Sequence, residues 1–361
     1  MITLNGGQYS DIDSYLLNAL ALSSATGKAF KMKDVGKMRR PAGVRPFHVT
    51  AMRAMAGLCE AQVKGEIIQS KEVRFVPTQA PRAGDFVIDT GEATGCPSAA
   101  SVVPLVEALI AALIRADGDS FIRLRGVNAS PFSPSAFWLR ETLAPMLSLL
   151  GFEAAVEIDK WGWFPDGGGE MTLVVEGKSN QRQRGQLIWE DRGDLLTLWT
   201  VVALSSRLTG IGEQMVSAFK KATAADRLDK MEVEIKRVQS TGPGSGLFMA
   251  MEFEHVTAGF EGISYRGMSA GEVAKEAAST MSYYYWSKAA FEPELARALM
   301  IPFALSGQDI TCTTSELTAP MRILEDLIPR FLPVTVNLTK HAYGGQIQIS
   351  PKLSTVAATS A

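Results

Sequence analysis

The chain has 361 residues, 46% of them hydrophobic, and a formal net charge of −2 from 36 basic and 38 acidic residues. This length suits two or more domains, or one core with an insertion, and the balanced charge excludes a protein whose whole surface attracts a polyanion. Three scattered cysteines, Cys59, Cys96 and Cys312, have no metal-binding spacing and predict no disulfide framework, so we expect a reducing, cytoplasmic location.

The N-terminal part alternates helical and strand patterns. Its first stretch, "MITLNGGQYSDIDSY", lacks the basic region and apolar run of a signal peptide. "LLNALALSSATG" has a helical period and ends at Gly27, "AFKMKDV" predicts a strand, and "FHVTAMRAMAGLCEAQ" predicts a second helix. "VKGEIIQSKEVRFVP" then predicts two strands around a polar turn.

The same pattern recurs after a further strand, "GDFVIDTG". "SAASVVPLVEALIAALIRADG" predicts a buried helix, because it is too short and too interrupted by Pro104 and Glu107 to span a bilayer, and we expect no membrane association. "DSFIRLRGV" predicts a strand, "SPSAFWLRETLAPMLSLLG" a helix, and "AAVEIDKWGWFPDGGGEMTLVVEG" a pair of strands. A repeat of about 80 residues indicates tandem α+β units, in which two helices cover each sheet.

The composition changes at the polar stretch "GKSNQRQRGQ", residues 177–186, which predicts a domain border. Beyond it the patterns indicate a strand, a helix and a strand, and a further strand follows the turn "GPGSG". The helical pattern returns at "SAGEVAKEAASTMSYYYWSK", and the chain closes with the strands "PVTVNLTK" and "GQIQISP". The small, polar tail "STVAATSA" is predicted to be disordered.

A dense basic segment, "KMRRPAGVRPFH", precedes the second helix and contains Lys37, Arg39, Arg40, Arg45 and His48. Its prolines and glycine exclude a helix before His48, so it is a loop that leads into a helix N-terminus. Guanidinium groups and the helix dipole both favour phosphate at such a place. The alternative is a solvated loop whose arginines pair with nearby carboxylates. The density of the cluster in an otherwise balanced chain favours the anion site.

The other motifs that could carry chemistry have simpler explanations. "PDGGGE" and "GPGSG" predict turns rather than nucleotide-binding loops, because a strand and not a helix follows each of them. His48, His255 and His341 are far apart, and none lies in a Ser/His/Asp or HExxH context. The sequence therefore predicts no metal site.

Several stretches, in order, resemble the RNA 3′-terminal phosphate cyclase family. They include "ALALSSATGKAFKMKDV", "RRPAGVRPFHVTAMRAMAGLCEAQVKG", "WGWFPDGGGEM", "GPGSGLFMAMEFEH", "YRGMSAGEVAKEAA" and "ELARALMIPFALSGQ". The resemblance covers nearly the whole chain. It implies repeated α/β units, a fold shared with the C-terminal domain of translation initiation factor three, and a smaller inserted domain. We therefore expect the core to occupy residues 1–178 and 276–361, with the inserted domain at 179–275.

The resemblance also implies an activity. Family members use ATP and a divalent metal to convert an RNA 3′-phosphate into a 2′,3′-cyclic phosphate, and a histidine near the C-terminus carries AMP. The motif ahead of that histidine matches Ser315–Ala319, and the next residue here is Pro320. Proline has no nucleophilic group, so we expect neither a catalytic residue nor the ATP and metal cofactors.

Further departures lie on the side of the site that the resemblance assigns to ATP. The family's glycine-rich "GEGGGQ" corresponds to Tyr9–Ser14, with Ser10 in place of a glutamate that contacts metal and nucleotide. Asp11 or Asp13 is an alternative metal ligand. In the stretch that matches "LADQL", Arg297 replaces an acidic contact. The basic loop, in contrast, is largely kept.

These departures lead to the hypothesis of a cyclase-like pseudoenzyme, one that acts in RNA processing by binding an RNA 3′ end or a protein partner. Eukaryotic cyclase-like nucleolar proteins without the histidine offer an analogy. The first alternative is an active cyclase whose nucleophile is His48 or His341, and the second is a structural subunit. The candidate phosphate- or RNA-binding residues are Arg39, Arg40, Arg45, His48 and Arg125.

Overall fold

The computed structural model describes residues 1–177, 185–206, 208–226, 228 and 231–352. Its strands form four separate sheets of four strands each, and helices cover them. This arrangement confirms the predicted α/β class with tandem helix-and-sheet units. Most of the polar stretch at 177–186 and all of the C-terminal tail "STVAATSA" lie outside the described residues.

The first unit carries the basic loop and has the strand order β1-β2-β4-β3. Its elements are β1 (Ile2–Asn5), α1 (Ile12–Thr26), β2 (Phe30–Lys33), α2 (Pro46–Cys59), β3 (Gln62–Lys64) and β4 (Val73–Val76). Helix α1 ends where Gly27 adopts a φ of 70°, a conformation that glycine takes without steric cost, and its N–H bonds to the carbonyl of Ser23.

The second unit repeats this pattern with the order β5-β6-β8-β7. Its elements are β5 (Asp85–Asp89), α3 (Val103–Leu113), β6 (Ser120–Gly126), α4 (Ala136–Trp138), a π-helical turn (Leu139–Leu143), α5 (Ala144–Leu149), β7 (Ala154–Lys160) and β8 (Gly169–Val175). The predicted second helix of this unit is thus a continuous α4–π–α5 segment. In both units the first two strands are parallel and the other pairings are antiparallel.

Another sheet is interposed in the chain, with the order β11-β10-β12-β13. Its unit consists of β10 (Leu195–Ser205), α6 (Ile211–Thr223), a 3₁₀ turn (Ala224–Asp226), β11 (Val233–Val238), β12 (Ser245–Phe253), β13 (Thr257–Ile263) and α7 (Ala270–Ser287). Helix α7 packs on α6, β12 and β13, so it covers this sheet.

The last sheet joins chain segments on both sides of that unit. It contains β9 (Gln186–Trp189), α8 (Pro293–Ser306), β14 (Asp309–Thr314), α9 (Ala319–Phe331), β15 (Val334–His341) and β16 (Gly344–Pro351). Strand β9 pairs in parallel with β14, and the order β9-β14-β16-β15 repeats that of the first two units. The division at residues 178/179 and 275/276 stays a prediction; the sheet pairing places β9 with the C-terminal strands.

One large apolar core runs through the units. Helix α1 lies at its centre, in contact with α2, α3 and α9. The aromatic rings of Phe30 and Phe331, from the first and last units, meet edge to face at 6.3 Å. Among the described residues, no helix is both long enough and apolar enough to cross a bilayer.

Candidate functional site

The basic loop connects β2 to α2 and is held in a fixed shape. Gly43 has a φ of 101°, and a Cβ at this position would lie 2.4 Å from the carbonyl oxygen of Gln69, so only glycine fits here. Arg45 caps α2, and its backbone N–H donates to Nδ1 of His48 at 3.1 Å. The loop therefore delivers its arginines from a defined backbone to the start of the helix.

Arg39, Arg45 and His48 converge on one carboxylate, that of Asp13. Nη1 of Arg39 contacts Oδ1, Nη1 of Arg45 lies 3.0 Å from Oδ2, and Nε2 of His48 lies 2.9 Å from Oδ1. Burial alone would raise the pKa of Asp13. The donor groups and charges of His48 and Arg39 outweigh it and hold that pKa well below its usual range. The contacts of Arg39 and Arg45 with Asp13 match the alternative stated in the sequence analysis, in which the loop arginines pair with a nearby carboxylate.

His48 has no free lone pair in this arrangement. Its side chain is 1% exposed, and its Nδ1 accepts the N–H of Arg45. In the neutral ring the proton is therefore on Nε2, which faces Asp13. A nucleophile needs an unshared lone pair directed at its substrate, and His48 lacks one.

The other two candidate arginines lie apart from this carboxylate. Arg40 is exposed and makes no ion pair within the described part of the chain. Arg125 lies on β6, with its Nε 3.7 Å from Oε1 of Glu170, and lines a different cavity of about 370 Å³ beside the loop that follows β5. The structure thus brings Arg39, Arg45 and His48 together and does not add Arg125 to them.

Pro320 is the second residue of α9, after the N-cap Thr318, and is half-buried. Proline suits this turn because the N–H it lacks would have no partner within the helix. His341 lies at the end of β15, where its Nδ1 accepts the N–H of Tyr343 at 3.3 Å. That Pro320 faces the pocket in which the family holds its nucleophile stays a prediction.

A cavity of about 610 Å³ adjoins the stretch Ser315–Ala319, since Glu316 is part of its wall. Aromatic rings of Phe132, Trp138 and Tyr283 line it together with a set of carboxyl groups. The carboxyl groups are those of Glu261, Glu276, Glu292, Glu294 and Glu316. Of the described residues that line the cavity, none is Lys, Arg or His.

Two of these carboxyl groups have strongly altered acidity. Glu292 caps α8 by accepting the N–H groups of Glu294 and Leu295, and it also accepts Nε1–H of Trp138 at 3.1 Å. Burial, reinforced by the charge of Glu294, raises the pKa of Glu292 to about 8. Burial likewise raises the pKa of Glu261 to about 8, against the hydrogen bonds that Ser135 donates to it.

The guanidinium group of Arg297 is bound by carboxylates of the chain itself. Its Nη2 lies 2.8 Å from both carboxylate oxygens of Glu107 and 2.5 Å from Oε1 of Glu294. The guanidinium is 12% exposed; burial alone would lower its pKa, but these two carboxylates raise it above its usual range. Arg297 therefore links α3 to α8.

The two aspartates considered as metal ligands are both engaged within the chain. Asp11 caps α1 by accepting the N–H of Ser14 at 3.1 Å, and Asp13 is engaged by the basic loop. The described residues contain no group of three His, Cys, Asp or Glu side chains able to hold a metal ion. The acidic cavity offers a triphosphate no positive partner.

The convergence on Asp13 was missed by the sequence interpretation, which considered that residue only as a metal ligand. Asp13 is 26 residues from Arg39 and 32 from Arg45 in the chain. The available signal was complementary charge, one acidic residue at a helix start and a dense basic segment. Neither periodicity nor spacing could connect the two.

The comparisons with known proteins identify the family. The family model for RNA 3′-terminal phosphate cyclase matches residues 10–338. The chain belongs to the RNA 3′-terminal phosphate cyclase family. Within it, the chain is 31% identical to the RNA 3′-terminal phosphate cyclase of Methylococcus capsulatus over 90% of each chain, and 30% identical to that of Salmonella agona over 98% of each.

A third cyclase of the family, from Nostoc punctiforme, is 28% identical over 88% of this chain and 90% of its own. Among solved structures, the enolpyruvyl transferase NikO from Streptomyces tendae aligns with 49% of this chain and 33% of its own, at 16% identity and a TM-score of 0.27. A likeness of that size is too weak to identify a shared fold.

Proposed function

We propose that this member of the RNA 3′-terminal phosphate cyclase family binds RNA ends and does not transfer a nucleotidyl group. The observation that carries the proposal is the state of the candidate nucleophiles. Pro320 stands where the resemblance places the histidine, and Nδ1 of His48, which carries the lone pair of the neutral ring, accepts the N–H of Arg45. His48, the one residue of the basic loop considered as a displaced nucleophile, is therefore not available to attack ATP.

The acidic cavity supports the same conclusion about nucleotides. Its wall reaches the stretch Ser315–Ala319 through Glu316 and is rich in carboxyl groups. Phosphate groups are recognised in proteins by guanidinium or ammonium groups, backbone N–H groups or metal ions, and carboxylates repel them. A nucleoside triphosphate therefore meets no cationic side chain among the described residues of this wall, although Glu261 and Glu292, with pKa values of about 8, are largely uncharged at neutral pH.

The basic loop supports the RNA-binding part of the proposal. Two guanidinium groups, those of Arg39 and Arg45, share the carboxylate of Asp13, and Arg40 lies apart from it, so the loop keeps a net positive charge after Asp13 is counted. Arg40 is exposed, and the side chain of Arg45 is 55% exposed. Both can donate to phosphate oxygens of an RNA backbone while Arg39 stays fixed inside the loop.

The test is incubation with ATP labelled at the α-phosphate, followed by a denaturing gel. We expect no label on the protein and no conversion of a 3′-phosphorylated RNA to the cyclic form, with the cyclase from Methylococcus capsulatus as the positive control. Label above the level of a heat-killed sample would contradict the proposal. The variant His341→Ala would then show whether His341 is the displaced nucleophile.

The variant Pro320→His extends this test. Residue 320 is in the first turn of α9, where histidine is tolerated, so the variant should fold. We expect it to stay unlabelled, because restoring the nucleophile leaves the acidic cavity and the Tyr9–Ser14 segment unchanged. A labelled Pro320→His protein would show that the nucleotide site is intact and that only one residue was lost.

A further inference from the structure

The group of side chains around Asp13 has the composition of an anion-binding site. Two guanidinium groups and one imidazole N–H surround a single carboxylate. His48 is 1% exposed and the side chain of Arg39 is 14% exposed, so these two donors are largely removed from water, whereas the side chains of Asp13 and Arg45, 41% and 55% exposed, leave the site open on one side. Such donors bind phosphate and carboxylate through the same interactions.

The carboxylate leaves part of this site unsatisfied. Nε of Arg39 is buried and has no hydrogen-bond partner. Nε2 of His48 is close to Asp13, but its N–H is not aligned with an acceptor, so it too has no hydrogen bond. A carboxylate presents two oxygens in one plane, whereas a terminal phosphate presents three in a tetrahedral arrangement. The donors around Asp13 are thus more numerous than one carboxylate can serve.

The donors do not depend on Asp13 for their positions. Nη2 of Arg39 donates to the carbonyl of Gly43 at 2.7 Å, and His48 is fixed by the backbone N–H of Arg45. Asp13 is itself held by the first turn of α1, between the buried residues Ile12 and Tyr15. The carboxylate therefore stays in the site, and the site should persist when the carboxylate is removed.

We propose that Asp13 determines which RNA ends this protein accepts, because its carboxylate occupies the place of a terminal phosphate among Arg39, Arg45 and His48. The proposal deepens the RNA-end binding proposed above and rests on it for the identity of the ligand. A 3′-phosphate carries about two negative charges at neutral pH and would be placed against Asp13. An end with a 3′-hydroxyl avoids that repulsion, so the wild-type protein discriminates against the phosphorylated end.

The experiment compares two oligonucleotides of the same sequence, one ending in a 3′-phosphate and the other in a 3′-hydroxyl. Their Kd values are measured by fluorescence anisotropy for the wild type and for Asp13→Ala. We expect the wild type to bind the hydroxyl end at least as tightly as the phosphate end. In Asp13→Ala, the ratio of the two Kd values should change by about tenfold in favour of the phosphate end.

Asp34→Asn is the matched control. It removes the same charge near the loop, at an exposed side chain 3.8 Å from Nζ of Lys37, and leaves the three donors untouched. Its end preference should equal that of the wild type. If Asp13→Ala and the wild type show the same preference, or if Asp34→Asn produces the same change as Asp13→Ala, the proposal is overturned.

A second measurement uses inorganic phosphate and needs no RNA. At constant ionic strength, phosphate should raise the melting temperature of Asp13→Ala and leave that of the wild type unchanged. If neither protein binds RNA but phosphate stabilises Asp13→Ala alone, Asp13 fills an anion site and the RNA-end function fails. If phosphate stabilises both proteins equally, the site is not filled by Asp13.

If Asp13→Ala does not fold, Asp13→Asn replaces it, because asparagine keeps the shape of the side chain. Asp13→Asn should show smaller changes in the Kd ratio and in the melting temperature, in the same direction.

Discussion

Arg39 and Arg45 contact the same carboxylate from different surroundings. The side chain of Arg39 is 14% exposed, and it also donates to the carbonyl of Gly43 inside the loop. That of Arg45 is 55% exposed. A hydrogen-bonded charge in a buried place contributes to stability, whereas an exposed ion pair contributes little. Arg39 should therefore contribute more than Arg45 to the free energy of unfolding.

We expect Arg39→Ala to lower the free energy of unfolding by roughly 1–3 kcal/mol, because it leaves the Gly43 carbonyl and Asp13 without their buried donor. Arg45→Ala should change it by less than about 1 kcal/mol. Urea denaturation of the two variants measures both values. Equal losses of unfolding free energy in the two variants would contradict the structural role assigned to Arg39.

The carboxyl groups of Glu261 and Glu292 should make stability depend on pH. Their pKa values are raised to about 8 in the folded protein, against about 4.3 in an unfolded chain. Between these values the unfolded chain releases protons that the folded protein keeps, so the stabilisation present below about pH 4.3 is lost as the pH rises through 8.

The double variant Glu261→Gln with Glu292→Gln should remove this dependence, because glutamine keeps the acceptor oxygen and cannot ionise. The fall in the free energy of unfolding from pH 5 to pH 8 should shrink by at least about 1 kcal/mol relative to the wild type. Glu234→Gln, at an exposed position on β11, is the control and should leave the fall unchanged. A double variant with the slope of the wild type would contradict the raised pKa values.

At the scale of elements, the last sheet shows where the interposed unit enters the chain. Strand β9 precedes the unit and pairs with β14 beyond it. Helix α7 packs on α6, β12 and β13 and covers the interposed sheet. Arg192 lies at the junction, where its guanidinium donates to the carbonyl of Tyr284 at 2.9 Å and lies over the ring of Phe253. We propose that the inserted domain extends from β10 to the end of α7.

Two fragments test this proposal. Residues 190–290 contain the complete sheet and both of its helices, so this fragment should unfold cooperatively when expressed alone. Residues 179–275 lack most of α7 and contain β9 without its partner strand, so we expect a less stable fragment with exposed apolar surface. Circular dichroism during thermal unfolding compares them. A more cooperative transition in the 179–275 fragment would favour that division instead.

At the scale of the whole molecule, the proposed RNA binding requires local attraction. The net charge of −2 gives no general attraction for a polyanion, and the acidic cavity adds a repulsive region. The exposed groups of the basic loop that can reach an RNA backbone are the guanidinium groups of Arg40 and Arg45 and the ammonium group of Lys37. Binding should therefore depend on salt with a shallow slope, as expected for few phosphate contacts.

The variant Arg40→Ala with Arg45→Ala should weaken RNA binding and reduce the slope of log K against log salt by about 2, one for each lost phosphate contact. Lys64→Ala with Arg74→Ala is the control, since it removes two exposed charges from paired strands of the same sheet. Affinity is measured from about 50 to 200 mM salt. An unchanged slope in the loop variant would end the role of the loop in RNA binding and favour a protein partner.

The sequence by itself determined the repeated helix-and-sheet units and the family. Helical and strand periods are local properties, so elements such as α2, α6 and α7 can be derived from a few turns of chain. Four residues establish a period only weakly: β2 and β4 were predicted within the longer stretches "AFKMKDV" and "VKGEIIQSKEVRFVP", whereas β1 and β9, of the same length, were not. The replacement at Pro320 was also visible, since it needs only an ordered match to a known motif.

Only the tertiary structure decided what the basic loop does with its charge. The sequence offered two fates for Arg39 and Arg45, an external anion or a carboxylate of the chain, and folding selected Asp13. It likewise gathered the glutamates of the cavity from α7, α8, β13 and the segment after β14. Ion pairs and cavities depend on which distant segments meet, and the free energy that brings those segments together comes from the common apolar core rather than from the charges themselves.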